Sequence, residues 1–247
     1  MAISDEAFNQ AQEYEIKHTI KYKWRDEWKK LYREYLSTFF EISDSFPESV
    51  VVDVGCGPVG IISVIKAREK VGIDPLIDEY KKIFDMEPDV RYINAKGEDI
   101  PLQDGYADFV FCVNTLNHVQ NPEKVLSEIA RILKPGGKLY FDVHNNPISV
   151  GHPHAFTQES VQVLLKRHFK VERTIEQDEM KSISYDIYCA DCGHKLRLRD
   201  QTCPVCKKDR KRIEGPRIYT VGQPNFYKSK PTRWGLICCH IESEGER

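Results

Sequence analysis

From residue 50 onward the chain alternates short apolar runs with amphipathic ones. VVVDVG (50–55) is a continuous apolar strand pattern, followed by a glycine turn and by PVGIISVIKA, which reads as helical. EKVGID, the helical DEYKKIF, DVRYINA, ADFVFCVN, a helix after Asn121–Pro122 (EKVLSEIARIL) and GKLYFDVH continue the alternation. Strands that are apolar throughout and separated by helices specify a parallel sheet covered on both faces. A further helix from Thr157 to about Arg167 has an N-cap residue in Thr157 and an acid in its first turn at Glu159. FKVERTIEQ and RWGLICCHIES then read as two last strands, separated by a long insertion where a short connection would suffice.

The first forty residues carry helical periodicity. Trp24, Trp28, Leu31 and Tyr35 recur at i, i+4, i+7 and i+11, an aromatic stripe expected to pack on the domain. The alternative is a lid over a ligand, with Tyr14 or Tyr22 reaching inward.

At 247 residues the chain is long enough for a proper core. A net charge of -2 gives no global attraction to nucleic acid or membrane. The N-terminus lacks the basic start and apolar run of a secretory signal, and no run approaches the ~20 apolar residues of a membrane span. A cytoplasmic protein is expected. The eight cysteines fit a reducing compartment, with metal on two CxxC pairs and free thiols elsewhere.

The chemistry begins at VDVGCGPVG. A strand ending in glycines lets backbone approach a ligand closely, and a helix behind it offers free N–H groups. Asp74, about 20 residues on in VGID, can accept both hydroxyls of a ribose. These residues fit NAD or S-adenosylmethionine equally. Three features separate them: Asp53 inside the glycine motif, AKGEDIPLQDGYADFVFCVNTLNHV after the third strand, and LKPGG before the fifth. With them the chain resembles the class I S-adenosylmethionine-dependent methyltransferases, especially the broad small-molecule group, over roughly residues 48 to 175 plus the last strand.

The resemblance implies a Rossmann-like α/β fold with a seven-stranded sheet and helices on both faces. It also implies that Gly55 and Gly57 let the loop approach the methionine part while Asp53 orders the turn. Asp74 would bind the ribose hydroxyls and Leu76 pack on adenine. Asp99, with Glu98 beside it, would meet the adenine amino group, and Asn114 would offer a backbone carbonyl to the cofactor's amino group. Methyl transfer is an in-line displacement governed by alignment, to which a general base adds ~10²–10⁴-fold for a hydroxyl acceptor. His144 and His154 lie where such a base is needed, ahead of His118; His152 shares their loop. NTLN after the fourth strand disfavours adenine methylation of DNA.

The insertion contains CADCGHKLRLRDQTCPVC, a C-x2-C-x10-C-x2-C pattern. Each CxxC turn aims two thiolates at one point, so Cys189, Cys192, Cys203 and Cys206 are expected to hold a structural zinc in a ribbon, with His194 as a spare ligand. In the methyltransferase fold such an insertion emerges at the rim of the acceptor pocket. KKDRKR (207–212) and the aromatic–lysine mixture after it fit a solvated charged face or an RNA contact.

The expected organisation is a helical lid over 1–45, a core over 46–180, the zinc-ribbon insertion over 181–230 and a final core strand over 231–247. The leading functional expectation is methyl transfer from S-adenosylmethionine to oxygen or nitrogen of a small molecule, by a monomer or homodimer. The alternatives are an RNA or protein methyltransferase that docks through the ribbon, and a non-catalytic ribbon adaptor.

Overall fold

A computed structural model describes residues 2–18, 25–144, 148–177, 181–189, 195–196, 212–220 and 233–240. The chain divides into two compact units, residues 1–178 with 229–247, and residues 179–228.

In the first unit, α1 (Asp5–His18) and α2 (Arg25–Tyr35) precede a π-helical turn, Leu36–Phe40. The described strands of this unit are β1 (Ser45–Val54), β2 (Lys66–Asp74), β3 (Arg91–Asn94), β4 (Ala107–Val113), β5 (Leu133–His144), β6 (Phe169–Gln177) and β10 (Arg233–His240). They form a seven-stranded sheet in the order β3-β2-β1-β4-β5-β10-β6. The pairings among β1 to β5 are parallel, and β10 runs antiparallel between β5 and β6. Helices α3 (Ile77–Ile83), α4 (Pro122–Ile132) and α5 (Gln158–Leu165) complete this unit.

Alternate side chains of each strand feed two cores. Val52, Val54, Val110 and Cys112 pack with Leu126 and Ile129 of α4 and Val161 and Leu165 of α5. Val51, Phe111 and Tyr140 point the other way, into a cluster with Leu36, Phe39, Phe40, Ile61 and Ile62. Phe40 is fully buried, its ring edge-on to Tyr140 at 5.4 Å. The π-helical turn therefore anchors the N-terminal segment to the sheet. The aromatic stripe is only its half-buried approach: Trp28, Leu31 and Tyr35 are intermediate in exposure, and Trp24 and Tyr22 lie outside the described residues.

Two helix starts are held as their sequences predict. Asn121 accepts the Lys124 N–H with Pro122 behind it, and Thr157 forms a reciprocal capping box with Ser160. One reading fails. PVGIISVIKA is not a helix: only Ile61–Ser63 turn, in 3-10 geometry, and the next strand begins at Lys66, well before the expected EKVGID. Eleven residues separate β1 from β2, too few for an ordinary helical crossover of a dozen or more. Ile61, Ile62, Val64 and Ile65 are all buried, and their β-branched side chains are poor at continuing a helix.

In the second unit, β7 (Lys181–Cys189) pairs antiparallel with β9 (Arg212–Thr220), from Lys181↔Thr220 to Cys189↔Arg212, and the short β8 (Lys195–Leu196) joins β7 at Tyr188↔Lys195. The chain enters and leaves this unit between β6 and β10. Cys192, Cys203, Cys206 and His194 lie outside the described residues, as does the side chain of Cys189. Among the described residues no cluster of metal-ligating side chains is present, and no helix is long and apolar enough to cross a membrane.

Candidate active site at the carboxyl ends of the parallel strands

The parallel strands β1, β2 and β4 bring Gly55, Asp74 and Asn114 to one edge of the sheet. The glycine turn is an elbow closed by backbone bonds, the Gly55 and Cys56 N–H groups donating to Ile73 O at 2.8 and 3.1 Å. Gly55 has φ +75°, and a Cβ there would lie 2.2 Å from Thr115 Cγ2. Only glycine lets Thr115 close on the elbow, where its hydroxyl donates to Val54 O at 3.0 Å. Gly57, at φ +57°, faces open space.

Two carboxylates occupy the tips of β1 and β2. Asp53 is 2% exposed and its Oδ2 accepts the Ile62 N–H at 3.1 Å, which orders the turn. Burial pushes its carboxyl up to about 7; the Ile62 bond pulls it down and Asp74 adds to the rise. Asp74 is 8% exposed and accepts the Gly57 N–H at 3.0 Å and the Leu76 N–H at 2.9 Å. Burial raises it to about 6 despite both bonds; Glu15 pushes it further up and His118 pulls it down. Asp53 is thus partly protonated near physiological pH while Asp74 stays mostly ionised there, and a nearby cation would favour the ionised form of both. Leu76 is half-buried beside this turn.

Glu98 Oε1 accepts the Gln120 and Asn121 N–H groups at 2.7 and 2.8 Å and so braces the entry to α4. Asp99 beside it is exposed. Asn114, at the end of β4, has φ +54°, and its N–H donates to Asp142 Oδ1 at 2.6 Å.

The three candidate histidines differ in their surroundings. His154 Nε2 lies 2.9 Å from Val119 O, which makes it a protonated, donating nitrogen. Burial lowers its pKa, consistent with a neutral imidazole. The backbone carbonyls of His154 and His144 both accept from the buried Asn117 amide, at 2.9 and 3.3 Å. His144 ends β5 half-buried. His118 has Nδ1 3.4 Å from Glu15 Oε1 and its ring centroid 4.7 Å from that of His152.

Glu15 belongs to α1, which lies across the loops after β3 and β4. Asp5 accepts from the Gln120 amide, and Lys96 Nζ sits 4.2 Å from the centroid of the Phe8 ring. Tyr14, 38% exposed, lies against Gly151. Sequence reasoning missed Glu15, Thr115, Asn117 and Asp142. Asp142 alone had a legible signal, an acid within the apolar run LYFDVH.

Cys56, Cys112 and Cys238 are buried, and burial pushes the Cys56 and Cys112 thiols well above the usual thiol range. They fill space rather than react.

Residues 52–141 match a family model described as a methyltransferase domain. A ubiquinone biosynthesis O-methyltransferase of Xanthomonas euvesicatoria is 32% identical over 120 residues, covering 45% of this chain and 48% of that protein. The human thiol S-methyltransferase TMT1B is 49% identical over 55 residues, covering 22% of each. The chain spans between 22% and 56% of the curated relatives it matches. Among solved structures, a Thermotoga maritima SAM-dependent methyltransferase, titled a possible histamine N-methyltransferase, is similar with TM-score 0.52 at 17% identity. It covers 91% of this chain and 97% of its own. Residues 52–141 are therefore similar to a methyltransferase domain, and the chain shares the α/β fold of this methyltransferase structure.

Proposed function

We propose that the protein transfers the methyl group of S-adenosylmethionine to an oxygen or nitrogen of a small molecule. The observation that carries this reading is the pair of buried carboxylates, Asp53 and Asp74, at adjacent strand tips on a glycine elbow. Asp74 would exchange or share its Gly57 and Leu76 N–H donors for the ribose hydroxyls. Leu76 would cover one adenine face, and Asp99, with Glu98 behind it, would meet the adenine amino group. The Asn114 carbonyl would receive the amino group of the methionine part, next to Gly55 and Gly57.

The bound cofactor supplies a methyl group made electrophilic by its sulfonium. The chain's own task is alignment and, for a hydroxyl acceptor, removal of a proton. The Val119 carbonyl holds the His154 ring by its Nε2–H and leaves Nδ1 as its basic nitrogen, while His118 Nδ1 lies 3.4 Å from Glu15. The base role falls to one of His154, His144 and His118. Calorimetry of the full chain with S-adenosylmethionine, followed by mass spectrometry of cell extract incubated with protein and isotopically labelled cofactor, tests this. Saturable binding and a labelled small-molecule product are expected; absence of cofactor binding overturns the reading.

For the second unit, Cys189, Cys192, Cys203 and Cys206 are assigned to one structural zinc. The support is their C-x2-C-x10-C-x2-C spacing and the β7–β9 hairpin, whose Cys189↔Arg212 end carries the connecting segment. Four thiolates satisfy tetrahedral zinc and give a small unit the binding energy its core lacks. Metal analysis is expected to return about one zinc per chain, lost in Cys203→Ser. A metal-free protein that keeps the hairpin would rule the site out.

A further inference from the structure

Asp142 is fully buried within a strand whose neighbours Tyr140, Phe141 and Val143 are core residues. A carboxylate there is costly unless its oxygens are satisfied. Both are: Oδ1 accepts the Asn114 N–H at 2.6 Å, and Oδ2 accepts the phenolic O–H of Tyr35. Each donor is informative. Asn114 holds a left-handed backbone, φ +54°, which costs energy for a residue with a side chain. Tyr35 is the last residue of α2, stacked on Phe39 at 4.6 Å, where the N-terminal segment locks into the core.

On the other flank of Asn114, Thr115 donates its hydroxyl to Val54 O and closes on Gly55. A continuous row thus runs across the carboxyl ends of β1, β4 and β5, from Val54 through Thr115 and Asn114 to Asp142 and then Tyr35. Asn114 is clamped from both sides, and one clamp belongs to the N-terminal segment.

We propose that Asp142 is a positioning residue that fixes the Asn114 backbone for the amino acid portion of the cofactor and makes that subsite depend on Tyr35. This rests on the cofactor reading above. Asp142 does not touch the reacting atoms; it acts through Asn114.

The test compares two ligands by calorimetry on the full-length protein: S-adenosylmethionine, and 5′-methylthioadenosine, which keeps the nucleoside but lacks the amino acid portion. Asp142→Ala removes both acceptors and is expected to weaken S-adenosylmethionine binding about 10- to 100-fold, the range for hydrogen bonds to a charged group. Asp142→Asn keeps an oxygen for the Asn114 N–H and should recover most of that loss. Tyr35→Phe leaves the ring packing intact and carries the test even if the alanine variant does not fold; about a fivefold loss is expected. In Tyr35→Phe and any folded Asp142 variant, methylthioadenosine affinity should stay within about twofold of wild type, since the ribose and adenine contacts are untouched. Equal weakening of both ligands, or no change in either, overturns the proposal while leaving the cofactor reading in place. A wild-type protein that binds neither compound overturns the cofactor reading and this proposal with it.

Discussion

Gly55→Ala is expected to lose at least about 100-fold in cofactor affinity, with a lowered melting temperature. The added methyl meets three atoms of the Thr115 side chain, at 2.2 Å from Cγ2, 2.3 Å from Oγ1 and 2.8 Å from Cβ. Thr115 cannot simply rotate aside, because its hydroxyl is bonded to the buried end of β1. The substitution also imposes a left-handed conformation on a residue with a Cβ, about 1–2 kcal/mol, on top of about 1–3 kcal/mol for overpacking. Gly57→Ala is the control. It has a similar positive φ but no protein atom within 4 Å of an added Cβ, so its melting temperature should fall less than that of Gly55→Ala, by the backbone cost of about 1–2 kcal/mol alone. Adding Thr115→Ala to Gly55→Ala removes the two nearest contacts and should restore part of the affinity. Isothermal titration and thermal melts of the four proteins measure this. Equal losses of stability for both glycines would show that close approach to Thr115 is not what fixes Gly55.

The second large effect is a pH dependence carried by Asp74. Its carboxyl is raised to about 6 in the folded protein, above the ordinary 3.8. Between those values the folded state holds more protons than the unfolded state, so this group's contribution to stability falls as pH rises through the window. Cofactor binding has the opposite sense, since ribose hydroxyls donate to the ionised form. Affinity should be full above about pH 7 and weaken as pH falls through 6, reaching about a tenfold loss at pH 5. Asp74→Ala should bind about 100-fold more weakly at pH 7.5, having lost two charge-assisted hydrogen bonds. It should also lose most of the pH dependence. An affinity that stays flat from pH 7.5 to 5 in the wild type would detach Asp74 from the ribose.

Much of this architecture was legible because parallel strands buried on both faces read as unbroken apolar runs. Asn121–Pro122 and Thr157 announced their helices through local capping chemistry. The segment after the glycine elbow was misread because periodicity does not separate a buried turn from a helix when Ile61, Ile62, Val64 and Ile65 are all apolar. The stripe reading also left out Phe39 and Phe40, which reach the core. At the site, Gly55 and Asp74 stand in a recognisable order along the chain. Asp142 and Thr115 act through partners 28 and 61 residues away in sequence, and no local pattern encodes such a pairing.

The brevity of the link between β1 and β2 also has an electrostatic consequence. Three residues of 3-10 turn stack too few peptide dipoles to build the positive pole on which a long helix would receive a pyrophosphate. What remains at the elbow is the charge of Asp74, mostly ionised near neutral pH, joined by Asp53 when a cation draws out its proton. The crevice is therefore polarised to welcome a positively charged guest and to repel an anionic one, a choice of sign made by the length of a loop.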